Sequence, residues 1–124
     1  MTSRLTLTTV TLGAPDPRVL AHFYQRLLGW EISVESPDWV TLPDPSGGVG
    51  LAFQTESNHT PPVWPDPGPT DQQMQVHLEI RVDDLETAGA HARTCGATLA
   101  GVQPQEKVRV YKDPAGHPFC LWVG

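Results

Sequence analysis

The feature that most constrains the fold is a unit of one strand, one helix and three strands that occurs twice. Residues 5–12 start with alternating Leu and Thr and continue as a β-branched run, the pattern of a first strand, and Gly13-Ala14-Pro15 ends it. Asp16 then stands as an N-cap with Pro17 in the first helical position. Val19, Leu20, Phe23, Tyr24, Leu27 and Leu28 follow at helical spacing, and Gly29 closes the helix as a left-handed cap. Residues 30–34 and 39–42 alternate again, a turn cluster spans 43–48, and residues 49–54 form a fourth strand.

The second copy follows the same plan. Residues 75–82 alternate strictly; Asp83 caps a helix carrying Leu85, Ala88, Ala92 and Cys95; Gly96 closes it. The interval from Asp83 to Gly96 equals that from Asp16 to Gly29. Strands are expected at 98–100, 108–111 and 118–123, and Asp113-Pro114-Ala115-Gly116 echoes Asp44-Pro45-Ser46-Gly47. One such unit cannot bury both its sheet face and its helix, so the two should pair. The expected fold is α+β: two tandem βαβββ modules, residues 1–54 and 73–124, joined by a connector over 55–72.

That connector holds Pro61, Pro62, Pro65, Pro67 and Pro69, a composition that is extended and fairly stiff. It reads either as a spacer or as an arm that carries Trp64 over the mouth of a cavity.

At 124 residues the chain can bury a core without staples. A net charge of -6 and a pI near 5.1 argue against nucleic acid and acidic membranes, because the eight Lys and Arg are scattered. The start, Met1-Thr-Ser-Arg-Leu, lacks a signal-peptide core, and no apolar run nears the roughly 18 residues of a membrane span. A cytoplasmic protein is expected, with Cys95 and Cys120 as free thiols.

Within residues 75–82 one face carries Val76, Leu78, Ile80 and Val82, enough to pack under a helix. The other carries His77, Glu79 and Arg81, three ionisable groups that must face solvent or a cavity.

The doubled unit, the segment His-Leu-Glu-Ile-Arg-Val-Asp-Asp-Leu and the ending Asp-Pro-Ala-Gly-His-Pro-Phe-Cys-Leu together resemble the vicinal oxygen chelate superfamily. The chain is most similar to its glyoxalase-like proteins, grouped with bleomycin resistance proteins and extradiol dioxygenases. The resemblance spans nearly the whole chain. It implies half-barrel sheets with helices outside and a ligand or metal cavity within. Metal-binding members carry ligands on the first and last strand of each unit. His77 falls on one such place and Cys120 on another, while the first unit offers Leu7 and either Leu51 or Ala52, none of which ligates.

A divalent site wants three or more matched donors. His77 and Cys120 supply two. Glu79 could add a third, although residues two apart on a strand sit roughly 6.5–7 Å apart and converge poorly on one ion. Three roles stand for His77: a ligand of a divalent metal, a satisfied histidine in a polar cavity, or a metal-free hydrogen-bonder or general base oriented by Glu79. Glu79 can instead pair with Arg81. Trp122 shares the face of Cys120, and Trp39 and Gln54 could join them, giving a cavity suited to a flat, partly apolar molecule.

The sequence therefore points to a small-molecule-binding protein, for an antibiotic or other natural product among the candidates. Its ligand-binding residues would be Trp122, Cys120, Gln54, Trp39 and Trp64, without cofactor. The alternative is a lyase, isomerase or dioxygenase-type enzyme using His77 and Glu79, with or without a divalent metal. A homodimer is expected from the superfamily's habit of forming cavities where modules pair, within one chain or across two.

Overall fold

The computed structural model describes residues 4–124 and divides into two compact units, Met1–His59 and Thr60–Gly124. In the first unit, β1 (Thr9–Ala14) leads into α1 (Pro17–Leu28), followed by β2 (Val34–Glu35), β3 (Trp39–Leu42) and β4 (Gly50–Thr55). The sheet order is β1-β4-β3-β2, with β1 and β4 parallel and the other pairs antiparallel. The second unit repeats it with β5 (Leu78–Arg81), α2 (Leu85–Cys95), β6 (Thr98–Leu99), β7 (Val108–Lys112) and β8 (Pro118–Trp122), in the order β5-β8-β7-β6. This is the α+β architecture of two tandem βαβββ modules.

In the first unit α1 lies on the sheet through its Leu20, Phe23 and Tyr24 stripe, all but fully buried with Val40, Leu42 and Phe53. Tyr24 stacks on Phe53 at 5.7 Å between ring centroids. Asp16 accepts from the Arg18 N–H at 3.0 Å, and Gly29 sits at φ 72°, the left-handed conformation expected of a cap. Val19, placed by its spacing on the apolar stripe, is 56% exposed.

In the second unit α2 is built of small residues on its sheet side, Gly89 and Ala92 with Cys95, which lets the helix approach closely. A Cβ on Gly89 would overlap the Tyr111 hydroxyl. Tyr111 in turn stacks on Phe119 at 5.8 Å. Both cysteines are buried.

Element boundaries differ from the sequence expectation for identifiable reasons. The first strand begins at Thr9, leaving Leu5 and Leu7 exposed, and runs through Gly13 to Ala14 because the ladder with β4 continues there; the Glu56 N–H donates to the Ala14 carbonyl at 2.8 Å. Residues 30–33 lie outside β2: its partner β3 ends at Leu42, and Pro43, next in line, has no N–H to offer. The strand expected over 75–82 shortens to Leu78–Arg81 for a similar reason. Its parallel partner begins at Pro118, so residues before Leu78 have no continuing ladder to join. The second helix is capped by Asp84, not Asp83; the Asp84 carboxylate accepts from the Thr87 N–H at 2.8 Å and its hydroxyl at 2.7 Å, which holds that carboxyl below its ordinary pKa.

The two-residue β6 leaves much of the β7 edge open, and the side chain of Gln103 fills in. Its amide NH2 donates to the Ala100 and Val110 carbonyls at 2.9 and 3.0 Å, and its amide oxygen accepts from the Val110 N–H at 2.8 Å. Among the described residues no helix is long and apolar enough to cross a membrane.

Candidate functional site

Strand alternation in the second unit sends Leu78, Ile80, Tyr111, Phe119 and Leu121 to the side of α2. It leaves His77, Glu79, Arg81, Val110, Cys120 and Trp122 on the opposite face. The register places Glu79 directly beside Cys120 and Arg81 beside Trp122. That second face is where the candidate residues gather.

His77 Nε2 lies 2.6 Å from Glu79 Oε2. The His77 side chain is 25% exposed and that of Glu79 50%. Two long side chains leaning along one strand bridge the gap between their Cα atoms, so the poor convergence expected from strand spacing does not arise. The Cys120 thiol also hydrogen-bonds Glu79. Burial first, then the Glu79 charge and that bond, push the thiol up to about 12. Glu79 is thus the shared acceptor of an imidazole and a thiol. The alternative partner considered for it, Arg81, instead sets its guanidinium over the Trp122 ring, 5.7 Å from the centroid.

Trp64 completes the group. The connector brings its ring against His77, stacked with centroids 4.5 Å apart and planes 24° from parallel, and it packs on the buried cluster of Ala100, Val110 and Cys120 beside Val108. The Val63 N–H donates to the Gln72 carbonyl at 2.8 Å, pinning the arm on which Trp64 sits. That stacking was not legible in the spacing, because nothing in a proline-rich stretch encodes where its one aromatic ring lands.

Donor atoms of His77, Glu79 and Cys120 all lie within 4.8 Å of one another, close enough for the three to turn toward one divalent ion. As they stand they form a hydrogen-bonded set rather than a coordination sphere. The imidazole and carboxylate are 2.6 Å apart, in hydrogen-bond contact, and ligands of one tetrahedral zinc at about 2.0–2.3 Å would stand farther apart than that. His77, Glu79 and Cys120 are the residues that would hold a divalent ion in this unit if one bound.

The first unit adds no donor at the corresponding places. The matching caps Asp16 and Asp84, together with the shared facing of the strands, equate His77 with Thr9, Glu79 with Thr11 and Cys120 with Ala52. This corrects Leu7, which came from counting back equally from Val82 and Leu12 although β5 and β1 do not end at those residues, and decides for Ala52 over Leu51. The extra residue lies in the Asp44–Gly50 turn, one longer than its counterpart. Trp39 and Gln54 are neighbours across β3 and β4 in this unit, Trp39 39% exposed and Gln54 donating to Glu56 at 3.2 Å. A pair that the sequence did not announce also lies here: His22 Nε2 stands 3.1 Å from Glu35 Oε1.

A family profile described as a glyoxalase-like domain matches residues 9–122. Among solved structures, the chain is similar to a glyoxalase/bleomycin resistance protein/dioxygenase family enzyme from Burkholderia phytofirmans PsJN, with 18% identity, a TM-score of 0.74, and 96% of this chain and 98% of that one covered. It is similar to the oxidase ChaP-H2 at 21% identity and a TM-score of 0.67, over 98% and 95% of the two chains. It is also similar to TnmS3, an antibiotic binding protein from Streptomyces sp. CB03234, at 17% identity and a TM-score of 0.59, over 99% and 98%. No curated protein matches the sequence.

Proposed function

Because the chain belongs to the glyoxalase-like domain family of the vicinal oxygen chelate superfamily, we propose that it binds a flat, partly apolar aromatic molecule against the His77 face of the second unit, without a metal. The observation that carries this is the Trp64 ring stacked on His77. A planar face is held over a polar handle, which suits a ligand that slides between or against the two rings. The handle has a defined polarity. With Nε2 donating to the Glu79 carboxylate, the other imidazole nitrogen, Nδ1, is left as an acceptor. The ligand should therefore present a donor there, a phenolic hydroxyl or a ring N–H. An antibiotic-binding relative in fold, TnmS3, is in keeping with such a ligand.

The 2.6 Å bond also supports a second reading. An imidazole oriented by a carboxylate with Nδ1 free is the arrangement of a general base, as a lyase or isomerase would use.

Tryptophan fluorescence titrations with planar phenols such as 2-naphthol, run alongside recovery of the ligand by mass spectrometry, separate the two. Saturable quenching that weakens in Trp64→Ala, with the phenol recovered intact, supports binding. Chemical change in the ligand that stops in His77→Ala supports the enzyme. Absence of any saturable response across the panel refutes both. Near-stoichiometric zinc, nickel, iron or manganese in protein purified without chelator, lost in His77→Ala, would overturn the metal-free proposal.

A further inference from the structure

On the helix side of the second unit an open depression of about 420 Å³ is lined by Leu85, Glu86, Arg93, Leu99, Arg109 and Tyr111. It involves none of the residues of the His77 face. Arg93 and Arg109 both line it, and neither has a carboxylate within ion-pair distance among the described residues. In a chain with eight Lys and Arg and a net charge of -6, two cations left without acidic partners in one hollow call for an anion.

Both are held in place by neutral groups. Arg93 Nη1 donates to the Tyr111 hydroxyl at 3.1 Å. Arg109 Nη1 donates to the carbonyls of Glu106 and Val108 at 2.8 and 2.9 Å, and of Gln105 at 3.3 Å. Only one terminal nitrogen of each is used, so several of the five N–H donors of each fork remain for an incoming group, already oriented. Gly89 makes this possible, since a side chain there would displace the Tyr111 hydroxyl that positions Arg93.

The remaining lining sets the ligand's class. Leu85 and the 44% exposed Leu99 offer an apolar surface beside the cations. Glu86 brings one negative charge, leaving the hollow a net single positive charge, which matches a monoanion better than a dianion. We infer that this depression is a second binding site, for a small organic carboxylate whose carboxyl lies between Arg93 and Arg109 and whose apolar body rests on Leu85 and Leu99.

Sodium benzoate titrated into 15N-labelled full-length protein, followed by 1H–15N correlation spectra at constant ionic strength, tests it. Saturable shifts centred on Leu85, Arg93, Leu99 and Arg109 are expected, with inorganic phosphate at neutral pH binding more weakly. Arg93→Gln and Arg109→Gln should each weaken benzoate by about tenfold or more, as loss of one charge-assisted contact does. Glu86→Gln, which removes the opposing charge, should tighten it, a gain that a structural role for these residues would not produce. Benzoate shifts that do not saturate or that map elsewhere would overturn the site. So would affinity unchanged in both arginine variants with their spectra otherwise native, or weakened in Glu86→Gln.

Discussion

In a Cys95→Ala background Cys120 is the only thiol, and its reaction with iodoacetamide reads the electrostatics of the His77 face. The thiol is 1% exposed and pushed from an ordinary 9.0 up to about 12. At pH 8 that leaves roughly one thiolate in ten thousand, against about one in ten for an unperturbed thiol, a deficit of about a thousandfold. The rarer thiolate is intrinsically more nucleophilic; with a Brønsted slope of about 0.4–0.5 this returns roughly a factor of 20–30. Chemistry alone should slow alkylation about 30- to 50-fold relative to the same protein unfolded in urea, and burial slows it further. Glu79→Gln removes the charge and the carboxylate acceptor but not the burial, which is the larger cause. Each unit by which the thiol's pKa falls raises the net rate at pH 8 roughly three- to fourfold, so a severalfold acceleration short of the unfolded rate is expected, read by intact mass over time. A native Cys120 that reacts as fast as the unfolded chain refutes the raised pKa. A folded Glu79→Gln protein whose rate is unchanged or lower refutes the role given to Glu79, and one that reaches the unfolded rate refutes burial as the main cause.

The same thiol predicts how stability depends on pH. The folded protein keeps a proton that the unfolded chain releases near pH 9, so its contribution is whole below pH 9 and is lost as pH rises from 9 toward 12, at up to about 1.4 kcal/mol per pH unit. Urea unfolding of wild type and Cys120→Ala at pH 7, 9 and 10.5 should show the wild-type advantage shrinking only above pH 9; an advantage that grows there would contradict it. Gly89→Ala gains about 1 kcal/mol in helix propensity but forces a methyl into the Tyr111 hydroxyl, an overpacking cost of about 1–3 kcal/mol. Thermal melts should show a net loss of a few degrees, whereas Gly101→Ala, which meets nothing within 4 Å, should be close to neutral; equal melting temperatures for the two would remove the close approach from the account.

The repeat, both helices and their capping glycines were legible because each is written locally: Asp16-Pro17 and Gly29, the 3.6-residue stripe through Phe23 and Tyr24, the two-residue alternation from Leu78 to Arg81. Strand ends were not, because they depend on a partner far away in sequence. Pro118 shortens β5, and Pro43 denies residues 30–33 a ladder. The one-residue error at Asp83 came from adjacent aspartates that only hydrogen bonding from Thr87 can tell apart, and Leu7 stood in the place of Thr9 because the two first strands were aligned on Leu12 and Val82, whereas β1 runs on to Ala14 and β5 stops at Arg81. Within the site, alternation alone paired His77 with Glu79 and Cys120 with Trp122, whereas bringing the two pairs to one face takes the register between β5 and β8, which only the superfamily resemblance anticipated. The meeting of Trp64 with His77 did not, since it depends on the path of an irregular connector. The Arg93 and Arg109 hollow was equally hidden, because a helix residue and a strand residue converge there only through tertiary packing.

The Gln103 side chain has a bearing on how the molecule behaves among its own copies. An unpaired strand edge is a template on which another chain can add a strand, the first step toward aggregation. By taking both the N–H and the carbonyl of Val110, the Gln103 amide stands in for a peptide group of a missing strand and leaves that stretch of β7 nothing with which to recruit one. With the Ala100 N–H, which also reaches the Val110 carbonyl at 3.0 Å, one side-chain amide thus guards the sheet against self-templating just beyond the end of the two-residue β6.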